Sequence, residues 1–145
     1  MLSVRQVAMV LAVLAIACGG EPRPVPRAVG TVIIEPPLDP ATEAEVMRSR
    51  TVAERVAERV GGDAAAAAAL RGRVRTRGVR DTRIVEVAVA VTPSEGAVTA
   101  IDRQNAVALC NQWVDTYFEL IVARARPEGG PGSVPLRVLD RCRIP

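Results

Sequence analysis

Few side chains in this sequence could do chemistry, and their types narrow the choice. Cys18, Cys110 and Cys142 are the only thiols, and there is no histidine. Histidine is the usual general base at neutral pH and the commonest metal ligand. Three widely separated cysteines cannot close a zinc site either. No base is available to activate Ser or Cys, and no carboxylates cluster as a hydrolase requires. The expectation is a protein that is not an enzyme and uses no metal and no cofactor. All 19 basic residues are arginine, set against 16 acidic ones. That excess is too small to argue for nucleic acid as a partner. The aromatics, Trp113, Tyr117 and Phe118, fall in one short segment, which leaves no platform for stacking sugars or bases.

Cys18 is the cysteine whose surroundings suggest a modification. Arg5 lies in a short polar start, an apolar run follows from Val7 to Ala17, and Cys18-Gly19-Gly20 closes it. About eleven apolar residues fall short of the roughly twenty that cross a bilayer. The pattern is that of a secretory signal over residues 1–17. Leu14 to Cys18 resembles a bacterial lipobox, in which the cysteine is acylated and becomes the new N-terminus, although Ala15 stands where Leu is preferred. Ala15-Ile16-Ala17 is equally a site for the ordinary signal peptidase at the same bond, and an uncleaved anchor is the third option. Lipidation at Cys18, with palmitate-type chains holding the protein at a membrane, is the expected outcome. Cys110 and Cys142 then remain as an even pair in an oxidising compartment. Gly19 after the cysteine favours the outer membrane, facing the periplasm, over the inner membrane.

The segment from Arg71 to Arg83 is the other concentration of reactive groups. Arg71, Arg73, Arg75 and Arg77 alternate, so a strand would place them on one face, with Arg80 and Arg83 beyond. As a patch they would bind phosphate or acidic polysaccharide. As a solvated edge strand they would block edge-to-edge association, and this second role is the favoured one.

The elements that position these residues follow from periodicity and punctuation. Gly19 to Gly30 has three prolines and is expected as an extended tether, giving a boundary at residues 18–30. Thr31 to Glu35 predicts a buried strand. Asp39-Pro40 opens a helix, Thr51 to Glu54 forms a capping box for a second, and Gly61-Gly62 ends that one. Val46, Val52, Ala53, Val56, Ala57 and Val60 make the apolar stripe. Asp63 caps a short helix over Ala64–Ala69. Thr82 to Thr92 predicts a strand with Val85, Val87, Val89 and Val91 on one face. Ala97 to Ile101 is expected to return as a hairpin arm. A long helix from about Arg103 to Arg126 carries Ala106, Leu109, Cys110, Trp113, Tyr117, Leu120 and Ile121, and Val134 to Leu139 closes the chain as a strand. The fold class is α+β over residues 31–145: a small mixed sheet in β-α-α-β-β-α-β order, covered by helices, with one long C-terminal helix.

Three stretches resemble the periplasmic base of polysaccharide co-polymerases, the Wzz-type chain-length determinants. Glu43 to Val60 (EAEVMRSRTVAERVAERV) is similar to the family's helices at Ser49 and Val52. Leu70 to Val89 (LRGRVRTRGVRDTRIVEVAV) is similar to its loop and strand. Asp102 to Tyr117 (DRQNAVALCNQWVDTY) matches its last base helix at Asp102, Ala106, Asn111 and Tyr117. Leu136 to Pro145 is a weaker echo of the closing strand. The resemblance implies a non-catalytic module that oligomerises in the periplasm and influences the length or export of surface polysaccharide. It departs from the family in its short signal, its lack of a second membrane helix, the loop that replaces a long helical arm, and Arg103 in place of the usual Pro. The family pattern has Ala where Cys110 and Cys142 stand, which brings the last helix and the closing strand within possible contact. A disulfide there and two buried thiols both fit the sequence.

The expected function is a lipid-anchored accessory of polysaccharide assembly or export. It would work through protein partners in the envelope, a second copy of the chain among them. The alternative is an envelope adaptor unrelated to polysaccharide.

Overall fold

The computed structural model describes residues 24–125 and 134–145. The expected signal segment, Cys18, the first part of the tether and the loop at 127–132 lie outside the described residues. The described elements are β1 (Arg27–Ile34), α1 (Pro40–Met47), α2 (Arg50–Arg59), α3 (Ala64–Arg73), β2 (Val74–Gly78), β3 (Ile84–Ala90), α4 (Ala100–Ala125) and β4 (Leu136–Arg143). The fold is α+β in the expected order, with one long C-terminal helix, and the short helix expected over Ala64–Ala69 is present as α3, extended to Arg73.

The strands lie in the order β2-β3-β1-β4, and each pairing is antiparallel. A mixed sheet is therefore not formed, and the connectivity explains why. β3 and β4 both run against β1, so they are parallel to each other and joined by the α4 crossover, but β1 is inserted between them. The parallel relation exists without a parallel pairing.

β1 begins at Arg27, not at Thr31, so Arg27–Gly30 of the expected tether belongs to the sheet. Its backbone is paired on both sides, with Arg27 opposite Ala90 and Val29 between Ala88 and Arg143. Ala28, Gly30, Val32 and Ile34 alternate as the buried face. Val85, Val87, Val89 and Val91 are buried beside them, as their spacing predicts. Helix α4 lays Ala106, Leu109, Cys110, Trp113, Tyr117 and Ile121 on this layer, at three- and four-residue intervals. α2 contributes Val52, Ala53, Val56 and Ala57, while Val60, which caps its C-terminal end, is exposed.

Helix ends correct two further expectations. Ser49, not Thr51, caps α2, its hydroxyl accepting from the Val52 N–H, and Glu54 turns instead to Arg50. Ala97 to Ile101 forms no hairpin arm, because Thr99 and Asp102 make a reciprocal cap for α4. The Asp102 N–H donates to the Thr99 hydroxyl at 3.2 Å, and the Thr99 N–H donates back to the Asp102 carboxylate at 2.8 Å.

Two of the aspartate-containing caps, at Asp102 and Asp39, bear on acid stability. The Thr99 N–H, then the Ser94 and Thr99 hydroxyls, hold Asp102 below the usual carboxylate value, and the Thr42 N–H does the same for Asp39. A carboxyl with a lower pKa folded than unfolded stabilises the fold above its unfolded value, 3.8 here, and loses that contribution as pH falls through the folded one. Thermal stability is expected to hold between about pH 5 and 7 and to decline below about pH 4. Asp102→Asn should lower the neutral-pH melting temperature and shrink the acid decline, which melting curves across pH would measure.

Candidate functional site

The arginine segment does not form the four-residue patch that its alternation suggests. Asp63 caps α3 by accepting from the Ala66 N–H at 2.9 Å, and the helix-favouring run of Ala, Leu and Arg carries the helix past Gly72 to Arg73. Arg71 and Arg73 thus end a helix, where positive charge suits the carbonyl end. The Arg71 Nε donates to the Arg48 carbonyl at 2.8 Å, and an Arg73 Nη donates to the Ala90 carbonyl at 3.1 Å. Arg75 and Arg77 alone share a strand face. Arg77 pairs with Glu86 across the ladder, and Arg75 is exposed with no carboxylate within ion-pair distance among the described residues. Arg83 donates to the Ile34 carbonyl at 2.7 Å and also to that of Leu38. β2 is a charged strand at the edge of the sheet.

Cys110 and Cys142 are disulfide-bonded, their Cα atoms 5.9 Å apart, which ties the middle of α4 to the end of β4. The Cys142 N–H also donates to the Asn111 side-chain oxygen at 3.0 Å. Gly30 makes room for this junction. A Cβ at Gly30 would lie 2.6 Å from the Cys142 sulfur and 3.3 Å from the Asp140 carbonyl oxygen. Gly30→Ala is expected to force the bridge off the sheet and to destabilise the fold by about 1–3 kcal/mol. Urea unfolding, with free-thiol titration of the folded protein, would measure that loss.

The third place is a buried polar pair under a cleft. Tyr117, fully buried, donates its hydroxyl to the Glu43 carboxylate, itself only 6% exposed. Burial first, and the neighbouring Glu43 second, push the Tyr117 hydroxyl far above its usual value, so it remains a proton donor and never a base. Beside it the Trp113 indole N–H donates to the Met47 carbonyl at 2.8 Å, satisfying the last carbonyl of α1. Glu43 also lines a cleft of about 480 Å³ with Glu35, Leu38, Ile121 and Arg124. Glu35 is paired with Arg137 at 3.5 Å. Tyr117→Phe is expected to cost about 2–3 kcal/mol by leaving a buried carboxylate without a partner. Adding Glu43→Leu should restore most of that loss, because both polar groups then leave together. Denaturant titrations of the two variants would decide it.

These three places hold the polar groups to structural tasks. Ser49 and Ser94, the two serines among the described residues, both serve helix caps. Every buried side-chain N or O among the described residues has a hydrogen-bond partner. No group of three His, Cys, Asp or Glu side chains among them could hold a metal. The Glu43–Tyr117 pair was legible only in part. Glu43 and Met47 share a face four residues apart, so a carboxylate on the buried side of α1 was the available signal. Gly30 gave none, since its need is set by a cysteine more than a hundred residues away. Cys18, the expected lipid site, lies outside the described residues. Neither a protein-family model nor a curated protein matches this sequence.

Proposed function

We propose that this chain is a non-catalytic, lipid-anchored protein of the bacterial envelope, acting by protein contact in the assembly or export of surface polysaccharide. The observation that carries the proposal is the cysteine pairing. With Cys110 joined to Cys142, Cys18 is the odd thiol, and it is the one in a lipobox-like setting. A bridged pair suits an oxidising compartment. Among the described residues no helix is long and apolar enough to cross a membrane.

The polysaccharide role draws on the likeness to the co-polymerase base. The residues that carry it work inside the fold: Asp102 caps α4, Asn111 receives the Cys142 N–H, and Tyr117 reaches Glu43. They support a stable platform in which contact, not catalysis, is the output. Fold and role can part company, so the role needs a test in the cell. Deleting the gene should shift the length distribution or the yield of surface polysaccharide on a sizing gel. An unchanged profile would refute the polysaccharide role.

A further inference from the structure

We infer that one end of the molecule, where the chain emerges from its tether, docks on an anionic phospholipid surface. This deepens the proposed anchoring at Cys18 and rests on it for the choice of membrane.

The sheet register assembles the surface. One row across its open face runs Arg75, Ala88, Val29, Arg143, and Arg27 stands opposite Ala90 two residues nearer the tether. Helix α4 starts at this same end, and Arg103 and Arg143 flank a shallow apolar groove lined by Val107, Ala108, Cys142 and Ile144. Two large apolar side chains protrude here, Val25 at 56% exposed and Ile101 at 66%.

Charge distribution separates this end from the rest of the sheet. Arg27, Arg75, Arg103 and Arg143 form no ion pair among the described residues. Farther along, Arg77, Arg137 and Arg141 pair with Glu86, Glu35 and Asp115. The loop between β3 and α4 adds a single exposed side-chain carboxylate, Glu95, since Asp102 is buried in the cap.

Guanidinium groups beside protruding aliphatic tips match the headgroup boundary of a bilayer. The cations stay with the phosphates while the apolar tips pass below them. An acidic protein surface would meet the arginines and leave Val25 and Ile101 unburied. Chain length favours the membrane as well. Cys18 stands nine residues before Arg27, a reach of at most about 30 Å at roughly 3.3–3.6 Å per residue. A lipid there would tether the molecule from this end, the one nearest the anchor in the chain. A basic patch is also the kind of second signal that makes an acyl anchor firm.

The test uses the full protein as cells process it, with Ile101→Trp as a reporter, mixed with phosphatidylcholine vesicles containing brominated chains, with or without phosphatidylglycerol. Quenching of the reporter is expected only where phosphatidylglycerol is present, and 0.5 M salt should abolish it. Each arginine at an anionic surface contributes roughly fivefold, so Arg27→Gln, Arg75→Gln and Arg143→Gln together should lower the docked population ratio about 100-fold. Equal quenching on both vesicles, or quenching indifferent to the triple substitution, would overturn the inference. Sedimentation with pure phosphatidylcholine vesicles reports the lipid on Cys18 separately. Sedimentation without phosphatidylglycerol-dependent quenching keeps the anchor and removes the docking end, and the converse keeps the docking end and removes the anchor.

Discussion

Trp113→Ala is expected to remove about 3–5 kcal/mol of folding stability, a large share of the 5–15 kcal/mol typical of a domain. Trp113 is fully buried, and it is the largest side chain of a core that, apart from Tyr117, Met47 and the cysteine pair, is built from Val, Ile, Leu and Ala. Truncation to alanine leaves a cavity in this layer, and the cost depends on how far its neighbours can close it. A second effect adds to the cavity. The Met47 carbonyl at the end of α1 would lose the indole donor 2.8 Å away and remain unsatisfied. Trp113→Phe separates the two effects, since it keeps most of the volume and loses the hydrogen bond. It should cost about 1–3 kcal/mol. Urea titration followed by circular dichroism is the suitable readout, because the indole fluorophore is itself removed.

The second large effect belongs to the Cys110–Cys142 bridge. Its sequence separation of 32 residues corresponds to about 3–4 kcal/mol in the chain-entropy description of the unfolded state. Replacing both cysteines with alanine should lower stability by about that amount. The bridge fastens β4, an edge strand, to the helix that leads into it, so its loss should loosen that strand first. Hydrogen exchange should then show faster exchange over Leu136–Arg143 than over β3. Wild-type protein under a reducing agent should match the double variant. A wild type indifferent to reduction would contradict the bridge.

The sequence carried the fold wherever one local rule decided the outcome. Val85, Val87, Val89 and Val91 alternate and are all buried, and Asp39-Pro40 opens α1 with the Asp39 carboxylate accepting from the Thr42 N–H. It misled where two rules competed. Alternating arginines suggest a strand, but helix propensity running on from the alanines takes Arg71 and Arg73. Thr51 to Glu54 has a capping-box pattern, yet Ser49 comes first and caps the helix. Thr99 and Asp102 form a cap whose aspartate replaces the more usual glutamate, and the apolar Ala97 to Ile101 stretch disguised it as a strand. What sequence spacing could not supply was contact at long range. The 2.6 Å approach at Gly30 and the Glu43–Tyr117 pair depend on strands and helices meeting across the whole chain. The arginines at the tether end belong to the same class. Arg27, Arg75, Arg103 and Arg143 come from four separate elements and share one end of the fold only through the β2-β3-β1-β4 register and the start of α4.

The most direct measurement is the intact mass and N-terminal peptide of the protein purified from the envelope fraction. A first residue of Cys18 bearing a thioether-linked diacylglycerol is the predicted result. A chain that starts at an unmodified Cys18, or keeps residues 1–17, would contradict the lipid anchor on which the proposed role depends.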